Sequence, residues 1–253
     1  MTLKAFLKAA LPPPIIQFIR EHRNREYNGL PLEDVFTKIY ETKAWSRRYT
    51  DEPQYNDEPF FSGSGSRFGS GTRYPDEVSD YVRTVEEFLS SLPSTPDAVD
   101  LGCGDFAIGS RVRAFCRNYI ACDIVRGMVD FNKERFANLD VDFRALDLTS
   151  DDLPEGDVAF VRQVLQHLSN AQIARFLARA SRYKYLVVTE HVPDGNFRAN
   201  ADKPAGPGTR VGYPSGVVLT APPFNLRPKT ERELCRVKSF DGGVLVTTVY
   251  QLS

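Results

Sequence analysis

Between residues 98 and 189, short apolar runs alternate with stretches of helical periodicity, and this order limits the possible folds more than any other feature. The spacing predicts strand 98–101, helix 108–117, strand 119–122, helix 125–137, strands 141–146 and 157–161, helix 170–182 and strand 184–189. Such alternation builds βαβ units, in which a parallel sheet is covered by helices on both faces. Residues 231–238 (ERELCRVK) and 244–252 (VLVTTVYQL) flank the turn SFDGG, a hairpin signal that adds an antiparallel pair to that sheet.

Before residue 98 the pattern changes. Val78, Tyr81, Val82, Val85, Phe88 and Leu89 mark one stripe of a helix that Pro93 and Pro96 end. Residues 32–45 (LEDVFTKIYETKAW) are also periodic. Lys4, Lys8 and the run Pro12, Pro13, Pro14 break the N-terminus into a short amphipathic helix and a second helix, which matches neither a signal peptide nor a membrane span. Residues 50–74 are a loop. Within it FFSGSGSRFGSGTRY carries Phe60, Phe61, Phe68 and Tyr74, and it reads either as a tether or as a lid over a site. The expected organisation is an N-terminal helical extension with a Gly/Ser-rich lid loop (1–74), then a ligand-binding domain (75–253) with an insertion at 192–230.

Composition excludes some partners. Lys plus Arg number 32 against 33 for Asp plus Glu, so no basic field draws nucleic acid. Cys103, Cys116, Cys122 and Cys235 form no Cys-x-x-Cys pair, and no Asn-x-Ser/Thr acceptor occurs, which points to reduced thiols and a cytoplasmic protein.

The stretch VDLGCGDFAIG (99–109) carries the chemistry. Gly102, Gly104 and Ala107 satisfy a loose Gly-x-Gly-x-x-Ala dinucleotide pattern, and Asp123 follows at the end of the next strand, where an acid can hold ribose hydroxyls. Asp100 argues for another ligand, because a carboxylate there would face an incoming pyrophosphate but suits an ammonium and a sulfonium. Charge therefore favours S-adenosylmethionine over a nicotinamide dinucleotide.

The set VDLGCGDF, CD at 122–123, FRALDL at 143–148, GDVAFVRQVLQHL at 157–168 and the terminal hairpin resembles the class I S-adenosylmethionine-dependent methyltransferases over about residues 75–252. The resemblance implies a Rossmann-like fold, mostly parallel with helices on both faces and the antiparallel C-terminal hairpin. It implies that Asp100, Gly102 and Gly104 surround the methionine portion, Asp123 the ribose hydroxyls and Asp147 the adenine amino group, that Arg162 and Gln163 line the cofactor at the end of the fourth strand, and that Ile124 and Leu148 belong to the same cofactor site. Phe106 stands where many members carry a third glycine, so its ring packs either against the cofactor or away from it.

Methyl transfer to oxygen needs a base for the hydroxyl proton, and a neutral imidazole suits that task near neutral pH. His22 reads as a solvated residue, whereas His167 and His191 fall at the carboxyl edge of the sheet, with a structural role open for each. Glu190 and His191 are conceivable metal ligands only if their strand has already ended, since adjacent strand side chains point oppositely. The insertion 192–230 reads as the acceptor-site wall, with Asp202, Arg210 and Tyr213 as substrate-binding candidates or plain solvated loop residues. DEPFFSGSGS, RQVLQHLSN and TEH further resemble bacterial enzymes that methylate sugars or small metabolites. The expected function is O-methylation of a small metabolite or saccharide; the rival readings are a nicotinamide-dependent oxidoreductase and a non-catalytic cofactor-binding protein.

Overall fold

The computed structural model describes residues 25–42, 44–45, 75–239 and 242–253. The helices expected before residue 24, His22 and the loop at 50–74 lie outside them. The chain divides into two compact units, Met1–Pro31 and Leu32–Ser253. In the first, the described residues form a 3-10 turn, Arg25–Tyr27, closed by the N–H of Asn28 donating to the Arg25 carbonyl.

The second unit is built on a seven-stranded sheet. Strands β1 (Ala98–Leu101), β2 (Tyr119–Asp123), β3 (Asp142–Ala145), β4 (Val158–Arg162) and β5 (Tyr185–Val192) are parallel; β8 (Thr230–Lys238) and β9 (Val244–Gln251) form the antiparallel hairpin. Their order is β3-β2-β1-β4-β5-β9-β8. All four residues of β1 are buried, as expected of a central parallel strand covered on both sides. Helix α1 (Leu32–Glu41) begins with Glu33 and Asp34, which suit the positive end of the helix dipole, and buries Val35, Phe36, Ile39 and Tyr40. Although the sequence groups it with the N-terminal extension, it belongs to the larger unit. Helix α2 (Pro75–Ser90) buries its expected stripe in one cluster with Ala98, Phe160, Val187 and Val249. Each large apolar side chain so buried contributes about 1.5–3 kcal/mol.

Three shorter helical stretches follow: α3 (Gly109–Val112), α4 (Arg126–Arg135) and α5 (Asn170–Ala180), the last opened by a capping box between Ser169 and Gln172. Two boundaries differ from expectation. The helix expected at 108–117 stops at Val112 and continues as a 3-10 turn, Arg113–Phe115, because the Arg113 guanidinium draws in the carbonyls of Cys116 (2.7 Å) and Leu139 (3.0 Å). Strand β5 runs on to Val192, held by β9 down to the pair Val192–Val244. Glu190 and His191 therefore lie inside a strand. The insertion contributes two short strands, β6 (Arg198–Ala199) and β7 (Ser215–Gly216), paired in parallel. Among the described residues no helix is long and apolar enough to cross a membrane.

Candidate cofactor and acceptor site

Strand order reverses between β1 and β4, and the loops after these strands face each other across the crevice this creates. Their approach is close. A Cβ on Gly102 (φ 85°) would lie 2.4 Å from Val164 in the loop after β4. At Gly104 (φ 54°) the nearest described atom to such a Cβ is the Tyr40 hydroxyl, 3.7 Å away, so the backbone there is open enough for a ligand.

The acids expected around this loop sit at the strand ends. Asp123 accepts the N–H of Gly104 on one oxygen and that of Val125 on the other, each at 3.0 Å, while burial raises its pKa against those bonds. Ile124 is half-buried beside it, and Asp147 follows β3 with one oxygen taking the Thr149 N–H at 2.7 Å, next to buried Leu148. Asp100 is buried and accepts the Tyr119 hydroxyl at 3.2 Å; burial pushes its pKa up to about 7. Arg162, on the same sheet face as Asp100, lies over the Tyr81 ring at 4.9 Å. Gln163 turns away from β4 with a left-handed backbone (φ 57°). Asp105 Oδ2, Asn132 Oδ1 and Gln163 Nε2 are buried without hydrogen-bond partners, so this edge offers both acceptors and a donor to a polar ligand.

Three features here were not legible beforehand. Phe106 adopts φ 58° and its ring turns away from the crevice into the core, edge-on to Tyr119, Phe136 and Phe143. The ring fits only because residue 109 is glycine: a Cβ there would come within 2.3 Å of it. From α4, buried Asn132 donates to the Gly104 carbonyl at 2.7 Å and clamps the loop. Tyr40 reaches the loop from α1; its pKa is raised by burial first, then by Asp123, Asp105 and Cys103.

Beyond β4 a 3-10 turn, Leu165–His167, meets the insertion. His167 Nδ1 lies 3.2 Å from the Gly206 carbonyl, which makes it the protonated nitrogen, while the Gly206 N–H donates to the His167 carbonyl at 3.1 Å. Gln166 Nε2 lies 3.3 Å from His167 Nε2. Burial, then the Lys203 charge, lowers the His167 pKa to about 3, so the ring is neutral. Trp45 packs on this ring at 5.1 Å and donates to the Pro207 carbonyl at 3.2 Å.

The insertion residues take other places than a simple wall suggests. Arg210 is fully buried and donates to the carbonyls of Leu165, Leu168 and Ala201 and to the Asn170 side chain. It ties the insertion to the turn and does not face an open site. Asp202 is exposed and accepts the Asn170 N–H at 2.8 Å, capping α5. Tyr213 is half-buried just after the Arg210–Gly212 turn. Glu190 accepts the Leu165 N–H at 3.1 Å, and burial pushes its pKa up to about 8. His191 projects from the opposite face of β5, with Nε2 against the Gly242 carbonyl. The continuing strand thus rules out Glu190 and His191 as joint ligands of one ion. Among the described residues, no group of three or more His, Cys, Asp or Glu could hold a metal.

The reversal point, the glycine loop and the acids at the ends of β1 and β2 come together at one edge of an α/β domain. Residues 98–184 match a family model described as a methyltransferase domain. Over these residues the chain is similar to the S-adenosylmethionine-dependent methyltransferases, and S-adenosylmethionine is the cofactor that the match supports. A methyltransferase of Leishmania major shares the fold, with TM-score 0.53, 17% identity and coverage of 69% of this chain and 72% of that one. So does the N-methyltransferase NodS of Bradyrhizobium japonicum, bound to S-adenosylhomocysteine, at 0.53 and 14%, over 71% and 89%. The methyltransferase domain of bacterial CtHen1 gives 0.51 and 15%, over 70% and 100%. No curated protein matches the chain.

Proposed function

We propose that the protein methylates a hydroxyl of a small metabolite or saccharide, with His167 as the base. The observation that carries this reading is the neutral His167 ring, its Nδ1–H committed to Gly206 so that Nε2 bears the lone pair, at the end of β4. Trp45 packs on that ring while Tyr40, five residues earlier, lies against the cofactor loop, which supports placing His167 beside the reacting centre.

When bound, S-adenosylmethionine supplies a methyl group on a sulfonium. Asp100 and Asp123 would hold the two ends of the cofactor, and the backbone of Gly102 and Gly104 leaves room for it. His167 receives the hydroxyl proton on Nε2, in place of the Gln166 amide that faces it at 3.3 Å, as the acceptor oxygen forms its new bond. A base whose pKa lies near 3 is weak, so His167 contributes at the lower end of the general-base range, and positioning supplies most of the rate. His191, on β5 with Nε2 against the Gly242 carbonyl of the hairpin turn, serves the fold rather than the reaction in this reading.

The test is incorporation of labelled methyl from S-adenosylmethionine across a panel of saccharides, other hydroxylated metabolites and matched amines. Label in an ether, lost in His167→Ala, is expected. Label confined to amines would overturn the oxygen acceptor.

A further inference from the structure

β8 is an edge strand: β9 pairs with one side, and among the described residues no strand lies on the other. It is nine residues long and mostly exposed, so among the described residues its outer row of backbone donors and acceptors meets no strand. The bulge and Lys238 blunt part of this edge, but the order of its charges lets a second copy pair with it.

The bulge between Glu233 and Cys235 drops Leu234 from the ladder. Glu231, Glu233, Arg236 and Lys238 therefore stand opposite Tyr250, Thr248, Val246 and Val244 of β9, and all four project from one face of the sheet. Arg232, Cys235 and Val237 project from the other. One face thus carries two acids followed by two bases along the strand.

A second copy laid antiparallel, about a two-fold axis normal to the sheet at Cys235, places each Glu233 opposite an Arg236 and each Glu231 opposite a Lys238. The axis preserves faces, so every pair meets on one side. Cys235 meets Cys235. The alternatives fail on charge or geometry. Moving the register by one ladder position sets residues of opposite faces against each other. Moving it by two brings Glu233 against Glu233 or Arg236 against Arg236, and cross-strand like charges repel. We infer that β8 pairs with β8 of a second copy of this chain in this register, making one continuous sheet across a homodimer.

Within one chain Arg236 and Glu233 already pair at 2.7 Å, each about half exposed (50% and 44%), and such a surface pair is weak. In the dimer both join a four-charge cluster, while the backbone ladder supplies the affinity and the charges select the register. An interface made from a single strand pair is smaller than permanent ones, so association falls in the micromolar range.

The experiment is sedimentation velocity on the full chain across a micromolar concentration series. A monomer–dimer equilibrium is expected. Glu233→Arg and Arg236→Glu should each weaken it about tenfold or more, and the double exchange should restore it to within about threefold. Both side chains are exposed, and unchanged S-adenosylhomocysteine binding shows that each variant is folded. Directly opposed Cβ atoms stand about 4.5–5.5 Å apart, near disulfide reach, so diamide should link dimers that Cys235→Ser lacks. A monomer at every concentration, a dimer indifferent to Glu233→Arg, or a double exchange that fails to rescue would each overturn the inference.

Discussion

Around Gly104 the organising contacts are short in sequence: Asp123 is 19 residues away and Asn132 is 28. Around His167 they are long. Arg210 reaches back 45 residues to Leu165, and Trp45 reaches forward 162 to Pro207. The first region holds its shape through backbone conformation, with glycines in left-handed geometry and acids fixed by N–H groups. The second depends on buried polar side chains that hold distant segments together. Such a fold can keep the crevice edge constant while the region around the insertion is rebuilt, because few of the bonds in one maintain the other.

Arg210→Ala gives the hardest test of that separation. It leaves several buried carbonyls without a donor and should destabilise the fold by about 3–4 kcal/mol, read by denaturant unfolding. Affinity of the folded fraction for S-adenosylhomocysteine should hold. A parallel loss of cofactor binding would merge the two regions into one.

His167→Ala comes next. Turnover at saturating substrates should fall about 10²-fold while cofactor affinity by calorimetry stays within about twofold, with His191→Ala as a control that lowers stability rather than rate. Equal rate loss in both variants would remove His167 from its special place.

On the other side of the comparison, Asp123→Ala should weaken S-adenosylmethionine binding by about 1.5–3 kcal/mol, the range for hydrogen bonds to a charged group. The loss must exceed what the released Gly104 and Val125 N–H groups cost in stability, so melting is measured alongside.

The smallest effect concerns pH. Asp100, with its pKa near 7, is largely protonated at pH 6, and a cationic ligand requires the carboxylate. Binding therefore releases a proton, and affinity for S-adenosylmethionine should rise about tenfold from pH 6 to 8, then level off. Asp100→Asn should remove this slope, and a slope that survives would move it to another group, Asp105, whose pKa burial raises to about 6, or Asp123.

Legibility follows the same division. Residues 98–101 form a strand, Gly102 and Gly104 adopt positive φ, and acids stand at the ends of β1 and β2, because local backbone requirements leave a mark on the residues that meet them. Arg210 shows the opposite case. An arginine in a Pro- and Gly-rich stretch reads as a solvated or ligand-facing group, and only the fold reveals that carbonyls 42 and 45 residues away surround it. Tyr40 and Trp45 lay in a periodic helical segment whose apolar stripe announced burial without saying against what. The reach of β5 past residue 189 was equally hidden, since its partner β9 comes more than fifty residues later.

The packing of Phe106 over Gly109 also constrains the history of the loop. A chain with phenylalanine at 106 does not tolerate a side chain at 109, because the ring occupies the space of that Cβ; with glycine at 106 only the Asp100 carboxylate, 2.9 Å from that Cβ, would have to give way. Passage between the two states has a direction at each step. Residue 109 must become glycine before residue 106 gains its ring, and on the way back the ring must go first. The reverse order passes through a clash inside the core, so the ring at 106 and a side chain at 109 exclude each other.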